Sequence, residues 1–218
     1  MKDRFFLIYD LDDSSRMLSA ILDANTGVHM INSDACEYAL YCIARGVQTL
    51  HSKDIVIANL TSSSVWSGKD GVPQITNLSQ CAEVSEGAQT KTNLEQRMKV
   101  FSAPEVRKSQ ECTKASDIWS LGVIAYMLAT GETEADLMSR DDPDFSSMKG
   151  TEGDRHSQVS SPEKVQDSFN LKDCSENFLT FIQACMQTDV SKRKTIDQLM
   201  EMDIMREANQ KDKEQAWK

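Results

Sequence analysis

The fold is decided by the stretch Thr113-Lys-Ala-Ser-Asp-Ile-Trp-Ser-Leu-Gly-Val-Ile-Ala-Tyr-Met-Leu-Ala-Thr-Gly131. Its apolar residues fall on nearly every face of a helix, and a helix that is apolar all round belongs in the middle of a core. Ser116 is the predicted N-cap, and Gly131 stands where a C′ glycine ends a helix. The pattern therefore predicts a buried central helix.

Length, composition and net charge limit the class of protein to which this chain can belong. The 218 residues suffice for one sizeable domain, and 39% hydrophobic with 27% charged residues is ordinary for a globular protein. The net charge of −10 disfavours nucleic acid and anionic membranes as partners, because both require a basic surface. No apolar run reaches the length of a membrane span, and we expect a cytoplasmic protein.

The cysteines and histidines give no sign of a metal centre. None of the 6 cysteines forms a C-x-x-C pair, and the 3 histidines are far apart in the sequence. Reduced thiols in the core or on the surface are therefore expected, with no metal site.

Hydrophobic periodicity and turn signals predict the helices and strands on either side of the central helix. The sequence predicts helices at Arg16–Leu22, Ile31–Leu50, Ser175–Gln187 and Thr195–Met205, and strands at Arg4–Leu11, Ile55–Leu60, Val65–Trp66 and Pro73–Leu78. Gly68–Gly71 is a hairpin turn between the last two strands. The polar stretches Gln80–Val100 and Ser139–Lys164 are predicted to be mobile loops.

The central helix follows Phe101-Ser-Ala-Pro-Glu-Val106. The Ala103-Pro-Glu105 triplet, followed at this distance by Asp117-Ile-Trp-Ser-Leu-Gly122, resembles the end of the activation segment and the central helix of protein kinases. The resemblance extends over roughly residues 5–205. It implies a mainly α fold with a few short β-strands: a kinase-like large lobe, with the small β-rich lobe essentially absent.

This resemblance also sets the expected domain limits. Residues 1–205 are predicted as one kinase-like domain, from the last small-lobe strand and the hinge through the large lobe, and residues 206–218 as a charged tail. The Gly-rich loop, strand lysine and helix glutamate of a complete kinase are expected to lie outside this chain. A fragment, a splice form and a small protein all remain compatible with the sequence.

The resemblance places the catalytic His-Arg-Asp site on Ile57-Ala-Asn59. Asn59 then replaces the aspartate that orients the substrate hydroxyl, and a neutral amide is no base. The metal-binding asparagine position falls on Ser64, and the metal-binding aspartate of Asp-Phe-Gly falls on Asn77. Since Mg²⁺ sites rely on carboxylates and phosphate oxygens, binding of ATP with Mg²⁺ is expected to be badly weakened.

Structural positions of the family are kept, by contrast. Ile57 and Leu78 keep apolar side chains where the family's regulatory spine has His and Phe. Asp117 matches the aspartate that braces the catalytic-loop backbone. Glu105 matches the partner of a buried arginine near the C-terminus, which is Arg193 here.

The resemblance also assigns roles to a segment near the N-terminus and to a histidine at the end of a helix. Tyr9 falls on the gatekeeper position, and Asp10 and Leu11 fall on the hinge segment that holds adenine in the family. His51 belongs to the Leu-His pair at the end of a helix and is interpreted as structural rather than catalytic.

These residues favour a catalytically inactive kinase-like domain, a pseudokinase of Ser/Thr-kinase type, that serves as a protein-binding, scaffold or regulatory module. The alternative is an atypical or residual ATP-dependent Ser/Thr kinase, and a nucleotide sensor ranks last. Candidate partner surfaces are the two polar loops and the groove around Tyr126 to Glu134, and Ser160-Ser-Pro-Glu163 is a weak phosphorylation motif. No partner is identified by the sequence.

Overall fold

The computed structural model describes residues 15–24, 33–68, 70–84, 90–91, 99–139 and 175–210. Within these ranges the chain is mostly helical. The helices are α1 (Leu18–Ala24), α2 (Ser33–His51), α3 (Pro104–Ser109), α4 (Lys114–Thr130), α5 (Glu134–Met138), α6 (Glu176–Cys185), α7 (Ile196–Met200) and α8 (Asp203–Gln210), with 3₁₀ turns at Ser62–Ser64 and Val190–Lys192. None of the helices in these ranges is long and apolar enough to cross a membrane.

The strands are short and lie at the edges of the helical body. They are β1 (Arg16–Met17), β2 (Ile55–Val56), β3 (Val65–Ser67), β4 (Pro73–Ile75), β5 (Ala82–Glu83), β6 (Thr90–Lys91) and β7 (Glu111–Cys112). All pairings are antiparallel: β3 lies between β1 and β4, β2 pairs with β5, and β6 pairs with β7. The mainly α fold class with a few short strands is confirmed.

The central helix α4 is the core of the structure, as its sequence predicts. Every residue from Ser116 to Leu128 is buried, and α4 packs against both α2 and α6. Gly131 ends the helix in the left-handed conformation (φ 71°), and its N–H donates to the carbonyl of Met127. This position suits glycine because the left-handed region penalises a Cβ atom.

The start of α4 differs from the prediction. Thr113 is the N-cap, and its hydroxyl accepts a hydrogen bond from the N–H of Ser116. Ser116 is the third helical residue, and its hydroxyl in turn accepts from the N–H of Thr113 at 2.9 Å. The two side chains form a reciprocal capping box, and the predicted N-cap at Ser116 is wrong.

Three predicted elements have different limits in the structure. Arg16 and Met17 are not helical, because they pair with Ser67 and Trp66 as β1. The predicted strand Ile55–Leu60 ends at Val56, since the N–H groups beyond it bond to a side chain instead of a ladder. The predicted strand Pro73–Leu78 ends at Ile75.

The C-terminal part also differs. The predicted helix Thr195–Met205 is two helices, α7 and α8, separated by a tight turn in which the N–H of Met202 donates to the carbonyl of Leu199. The predicted charged tail begins inside α8, which runs to Gln210 because Ile204, Met205 and Ala208 are buried. Apolar contact with α2 extends the helix past the predicted boundary.

Several predictions fall partly or wholly outside the described residues. The predicted loop Gln80–Val100 contains two strand segments, β5 and β6, so it is not irregular throughout. The predicted strand Arg4–Leu11 lies outside the described residues, as does all of the predicted loop Ser139–Lys164 except Ser139.

Close approach of α4 and α6 depends on Gly122. A Cβ atom at this position would lie 2.6 Å from the Cβ of Cys185 and 2.6 Å from the Cγ of Met186. Both distances are far inside van der Waals contact, and Cys185 is fully buried. The absence of a side chain at residue 122 therefore sets the distance between the two helices.

We expect Gly122→Ala to lower the free energy of unfolding by about 1–3 kcal/mol, because overpacking forces helices apart. Gly46→Ala in α2 is the matched control, since its Cβ would meet only the flexible end of Ile75, at 3.0 Å. Urea denaturation of both variants measures the difference. Equal stability of the two variants would contradict this account of the α4–α6 contact.

Candidate functional site: a braced but altered catalytic loop

The loop that follows β2 is fixed by one buried carboxylate. The Oδ2 atom of Asp117 in α4 accepts from the N–H of Ile57 at 2.8 Å, and its Oδ1 atom accepts from the N–H of Ala58 at 3.0 Å. Nε2 of His51, at the end of α2, lies 2.9 Å from Oδ2. Asp117 is 1% exposed, so this carboxylate replaces its lost hydration with three donors.

The brace holds the backbone in an uncommon conformation. Ala58 has φ 62°, in the left-handed region that residues with a Cβ atom rarely adopt. Such a conformation costs about 1–3 kcal/mol and persists where surrounding contacts fix it. The hydrogen bonds to Asp117 provide those contacts on either side of the Ile57–Ala58 peptide.

Two thiols support the same backbone from its carbonyl side, which the sequence did not reveal. The Sγ atom of Cys81 donates to the carbonyl of Ile57, and that of Cys112 donates to the carbonyl of Ala58, both at 3.8 Å. Burial, with a smaller contribution from the charge of Asp117, raises the pKa of each thiol to about 11. Both thiols are therefore protonated donors at neutral pH.

Asn59, which the resemblance predicts at the catalytic aspartate position, lies just after the braced peptide. Its carbonyl oxygen Oδ1 is buried and has no hydrogen-bond partner among the described residues. A buried acceptor without a partner is a cost to stability, typically about 1–3 kcal/mol. The carbonyl oxygen of Asn59 therefore does not help to stabilise the loop.

The hydroxyl of Ser64, which the resemblance predicts at the metal-binding asparagine position, bonds to the backbone of Thr61. The hydroxyl donates to the carbonyl of Thr61 at 2.7 Å and accepts from its N–H at 2.9 Å. The residue is 1% exposed. Ser62 and Ser63 next to it both donate to the carboxylate of Glu134 in α5, which ties the loop to that helix.

Asn77 and Leu78 follow β4. Oδ1 of Asn77 accepts from both the N–H and the hydroxyl of Ser79, the latter at 2.7 Å, in an exposed local turn. Leu78 is half-buried and does not join the core cluster, whereas Ile57 is fully buried within it. The described residues contain no group of three or more His, Cys, Asp or Glu side chains able to hold a metal.

Glu105 and Arg193, 88 residues apart in sequence, meet in the structure. Nη1 of Arg193 lies 2.6 Å from Oε1 of Glu105, and Nη2 lies 3.1 Å from Oε2. The guanidinium also donates to the carbonyls of Ala115 and Gln187, and its carbon lies 5.2 Å from the centre of the Trp119 ring. The arginine side chain is 0% exposed, so its charge depends on this set of partners.

Other predicted site residues are placed differently or lie outside the described structure. Tyr9, Asp10 and Leu11 fall in residues 1–14, which the structure does not describe. Tyr126, at one end of the predicted groove from Tyr126 to Glu134, is fully buried, and its hydroxyl donates to Glu132 at 2.8 Å. His51 contacts Asp117, and the Leu-His pair at a helix end was the only sequence signal for it.

Comparison of the sequence with known proteins identifies the family. The sequence model of the protein kinase domain matches residues 2–205, and the chain belongs to the protein kinase family. It is 23% identical over 191 residues to the serine/threonine-protein kinase SKM1 of Saccharomyces cerevisiae, covering 87% of this chain and 27% of that protein. It is 28% identical to ste20 of Emericella nidulans (73% of this chain, 17% of that protein).

A mammalian relative gives the same result. The chain is 25% identical over 162 residues to the serine/threonine-protein kinase PAK 1 of Mus musculus, covering 74% of this chain and 27% of that protein. The chain thus spans roughly a sixth to a quarter of the length of these curated relatives. The match concerns the kinase domain and leaves most of each relative's length unmatched.

We expect Glu105→Ala to lower the free energy of unfolding by about 3–5 kcal/mol, because it leaves the buried Arg193 guanidinium without its counter-charge. Lys114→Ala is the matched control: it removes an ion pair with Asp54 whose side chains are 40% and 60% exposed. Exposed pairs contribute about 0–1 kcal/mol. A Glu105→Ala variant that melts at the same temperature as Lys114→Ala would contradict the structural role of the pair.

The two raised thiol pKa values predict a pH dependence. The raised values mean that folding favours the protonated thiols, so the contribution of Cys81 and Cys112 is complete below about pH 9 and is lost as pH rises towards 11. Chemical denaturation at pH 8 and pH 11 should show a smaller loss of stability in a Cys81→Ala/Cys112→Ala variant than in the unchanged protein. Equal losses would show that the thiols titrate alike in both states.

Proposed function

We propose that this chain is a catalytically inactive member of the protein kinase family that acts as a protein-binding, scaffold or regulatory module. The proposal rests on the surroundings of three side-chain oxygen atoms at the altered catalytic positions. The hydroxyl of Ser64 donates to the carbonyl of Thr61, and Oδ1 of Asn77 accepts from the hydroxyl of Ser79. Oδ1 of Asn59 is buried and carries no charge. None of the three offers a carboxylate to a metal or to a substrate hydroxyl.

The physical argument concerns charge. Phosphoryl transfer depends on metal ions that neutralise the ATP phosphates and on a group that orients the nucleophile. A neutral amide and a buried hydroxyl supply neither the charge nor the proton acceptor. Because these losses fall on separate segments of the chain, one compensating group does not replace them, and we infer that ATP and Mg²⁺ are not cofactors.

Retention of the structural contacts supports a binding role. Asp117 still fixes the loop, and Glu105 still neutralises Arg193, although no catalysis requires either contact here. A fold whose internal braces persist without its chemistry is suited to present a surface to other proteins. The free thiols among the described residues suit a reducing compartment, and we propose that the protein acts in the cytoplasm.

The alternative function is an atypical Ser/Thr protein kinase. The names of the relatives favour it, since SKM1 and PAK 1 are serine/threonine-protein kinases. It requires that a small lobe supply the ATP site and that the substituted residues hold metal in an uncommon arrangement. A nucleotide-binding measurement and a transfer measurement separate the two proposals.

We expect no thermal shift when the purified chain is titrated with millimolar ATP, with or without Mg²⁺. A ligand that binds only the folded state stabilises it by about 2.7 kcal/mol at a hundredfold excess over Kd, which is readily detected. The Asn77→Asp variant is the matched control, because it restores one metal-binding carboxylate at an exposed position. A clear Mg²⁺-dependent shift of the unchanged protein would contradict the proposal.

A radioactive phosphate-transfer assay with a generic protein substrate tests the alternative directly. The expected result is incorporation equal to the background. Asn59→Ala and Asn77→Ala identify the source of any signal, because both variants remove an amide that is not required by the core. Incorporation that both variants abolish would establish the atypical kinase instead.

A further inference from the structure

The turn between β3 and β4 contains an Asp-Gly step, Asp70-Gly71, and the sequence has no other Asp-Gly and no Asn-Gly step. Asp70 is exposed, and Gly71 adopts the left-handed conformation with φ 73°. Neither residue is one of the altered catalytic positions. The turn therefore has chemistry of its own that the proposed function does not use.

The Asp70 side chain folds over the residue that follows it. Its Oδ1 atom accepts a hydrogen bond from the N–H of Val72 at 3.0 Å, the two-residue contact that aspartate forms in turns. Gly71 lies between the two bonded residues. The contact therefore brings the carboxyl carbon of Asp70 close to the backbone nitrogen of Gly71.

The backbone nitrogen of Gly71 is open to attack chemistry because glycine has no side chain to crowd it. Its N–H donates to the carbonyl of Gly68 at 2.9 Å, and this bond must open before the nitrogen can react. Hydrogen bonds in exposed turns open at low free-energy cost. The turn thus holds the two reacting groups close together without fixing the nitrogen permanently.

We propose that Asp70 is a site of isoaspartate formation, which makes the aged chain a substrate for an isoaspartyl methyltransferase. The Gly71 nitrogen attacks Cγ of the protonated Asp70 carboxyl group and forms an N–Cγ bond, and the amide proton and the carboxyl hydroxyl leave as water. The product is a five-membered succinimide. This inference goes beyond the proposed function and does not depend on it.

Water then opens the succinimide ring in one of two ways. Attack at Cγ breaks the new N–Cγ bond and restores aspartate. Attack at the main-chain carbonyl breaks the original peptide bond, so that the chain continues through Cβ and Cγ and a free carboxylate remains on Cα. The second product is isoaspartate, and neither route needs a reactant other than water.

Asp189 provides a comparison within the same chain. It is also exposed, and its Oδ1 atom accepts from the N–H of Ser191, two residues later, at 3.0 Å. The residue between them is Val190, whose branched side chain hinders approach to its own nitrogen. The same carboxylate contact therefore occurs once before glycine and once before valine, and only the first arrangement favours ring closure.

Isoaspartate at residue 70 changes the backbone of the hairpin and keeps its charge. The chain gains one backbone carbon in the turn that aligns β3 with β4, where Ser67 lies opposite Pro73 and Val65 lies opposite Ile75. Turn type and loop length set the register of a hairpin. The extra carbon therefore loosens the pairing of these two strands.

The test incubates the purified full chain for several weeks at physiological temperature and pH. Electron-transfer mass spectrometry distinguishes isoaspartate from aspartate in each peptide, and an isoaspartyl methyltransferase with labelled S-adenosylmethionine reports the same product. We expect isoaspartate to accumulate at residue 70 and to stay at background at residue 189. Exchange of the Thr76 N–H, which donates to the carbonyl of Ser64 at 2.9 Å, should become faster in the aged chain.

Two variants test the chemistry at each position. Asp70→Glu keeps the carboxylate but requires a six-membered ring, which closes more slowly, so both signals should be lost from the peptide that contains residue 70. Val190→Gly is the matched gain-of-reaction variant. Residue 190 is 42% exposed, and glycine there should produce isoaspartate at residue 189.

The proposal is overturned if isoaspartate does not accumulate at residue 70, or if it accumulates equally at residues 70 and 189. Undiminished methyl transfer to the Asp70→Glu peptide would also overturn it. Unchanged exchange of Thr76 in the aged chain would contradict the loosening of the hairpin. If a variant does not fold, the comparison of residues 70 and 189 in the unchanged protein decides alone.

Discussion

One buried carboxylate, that of Asp117, is the constraint on which the rest of the structure depends. It draws the end of α2, the loop after β2 and the start of α4 together through His51, Ile57 and Ala58. Because a buried carboxylate is costly unless donors surround it, the three segments have little freedom to separate. The left-handed conformation of Ala58 and the thiol contacts of Cys81 and Cys112 follow from the same arrangement.

A second buried charge acts at the other end of this region. Arg193 joins the segment before α7 to α3 through Glu105 and to the first turn of α4 through the Ala115 carbonyl. The two charged centres thus fix α4 at its N-terminal end, and close packing around Gly122 fixes its middle against α6. The helical body is therefore held together around α4 by two buried charges and by close helix packing.

The side-chain amides of Asn59 and Asn77 have different surroundings. Asn77 forms a local turn with Ser79 and is satisfied by its own neighbours. Oδ1 of Asn59 is buried and has no donor within the described part of the chain, which is a defect that natural structures rarely retain. The hydroxyl of Ser64 forms two hydrogen bonds with the backbone of Thr61. The loop is therefore held by contacts that owe nothing to a nucleotide or a metal.

The sequence by itself determined the family and the central helix. These depend on local information: an apolar run with a terminal glycine, and residue types at fixed distances from Ala-Pro-Glu. It also indicated that Glu105 and Arg193 are partners, although only by resemblance. Only the tertiary structure decided what depends on distant contacts. Strand β2 ends at Val56 because Asp117, 60 residues away from Ile57, accepts the hydrogen bonds of the next N–H groups. Helix α8 continues past Met205 because α2 covers its apolar face. The two thiols and the turn between α7 and α8 likewise arise where segments far apart in the chain meet, and no periodicity in the sequence encodes such a meeting.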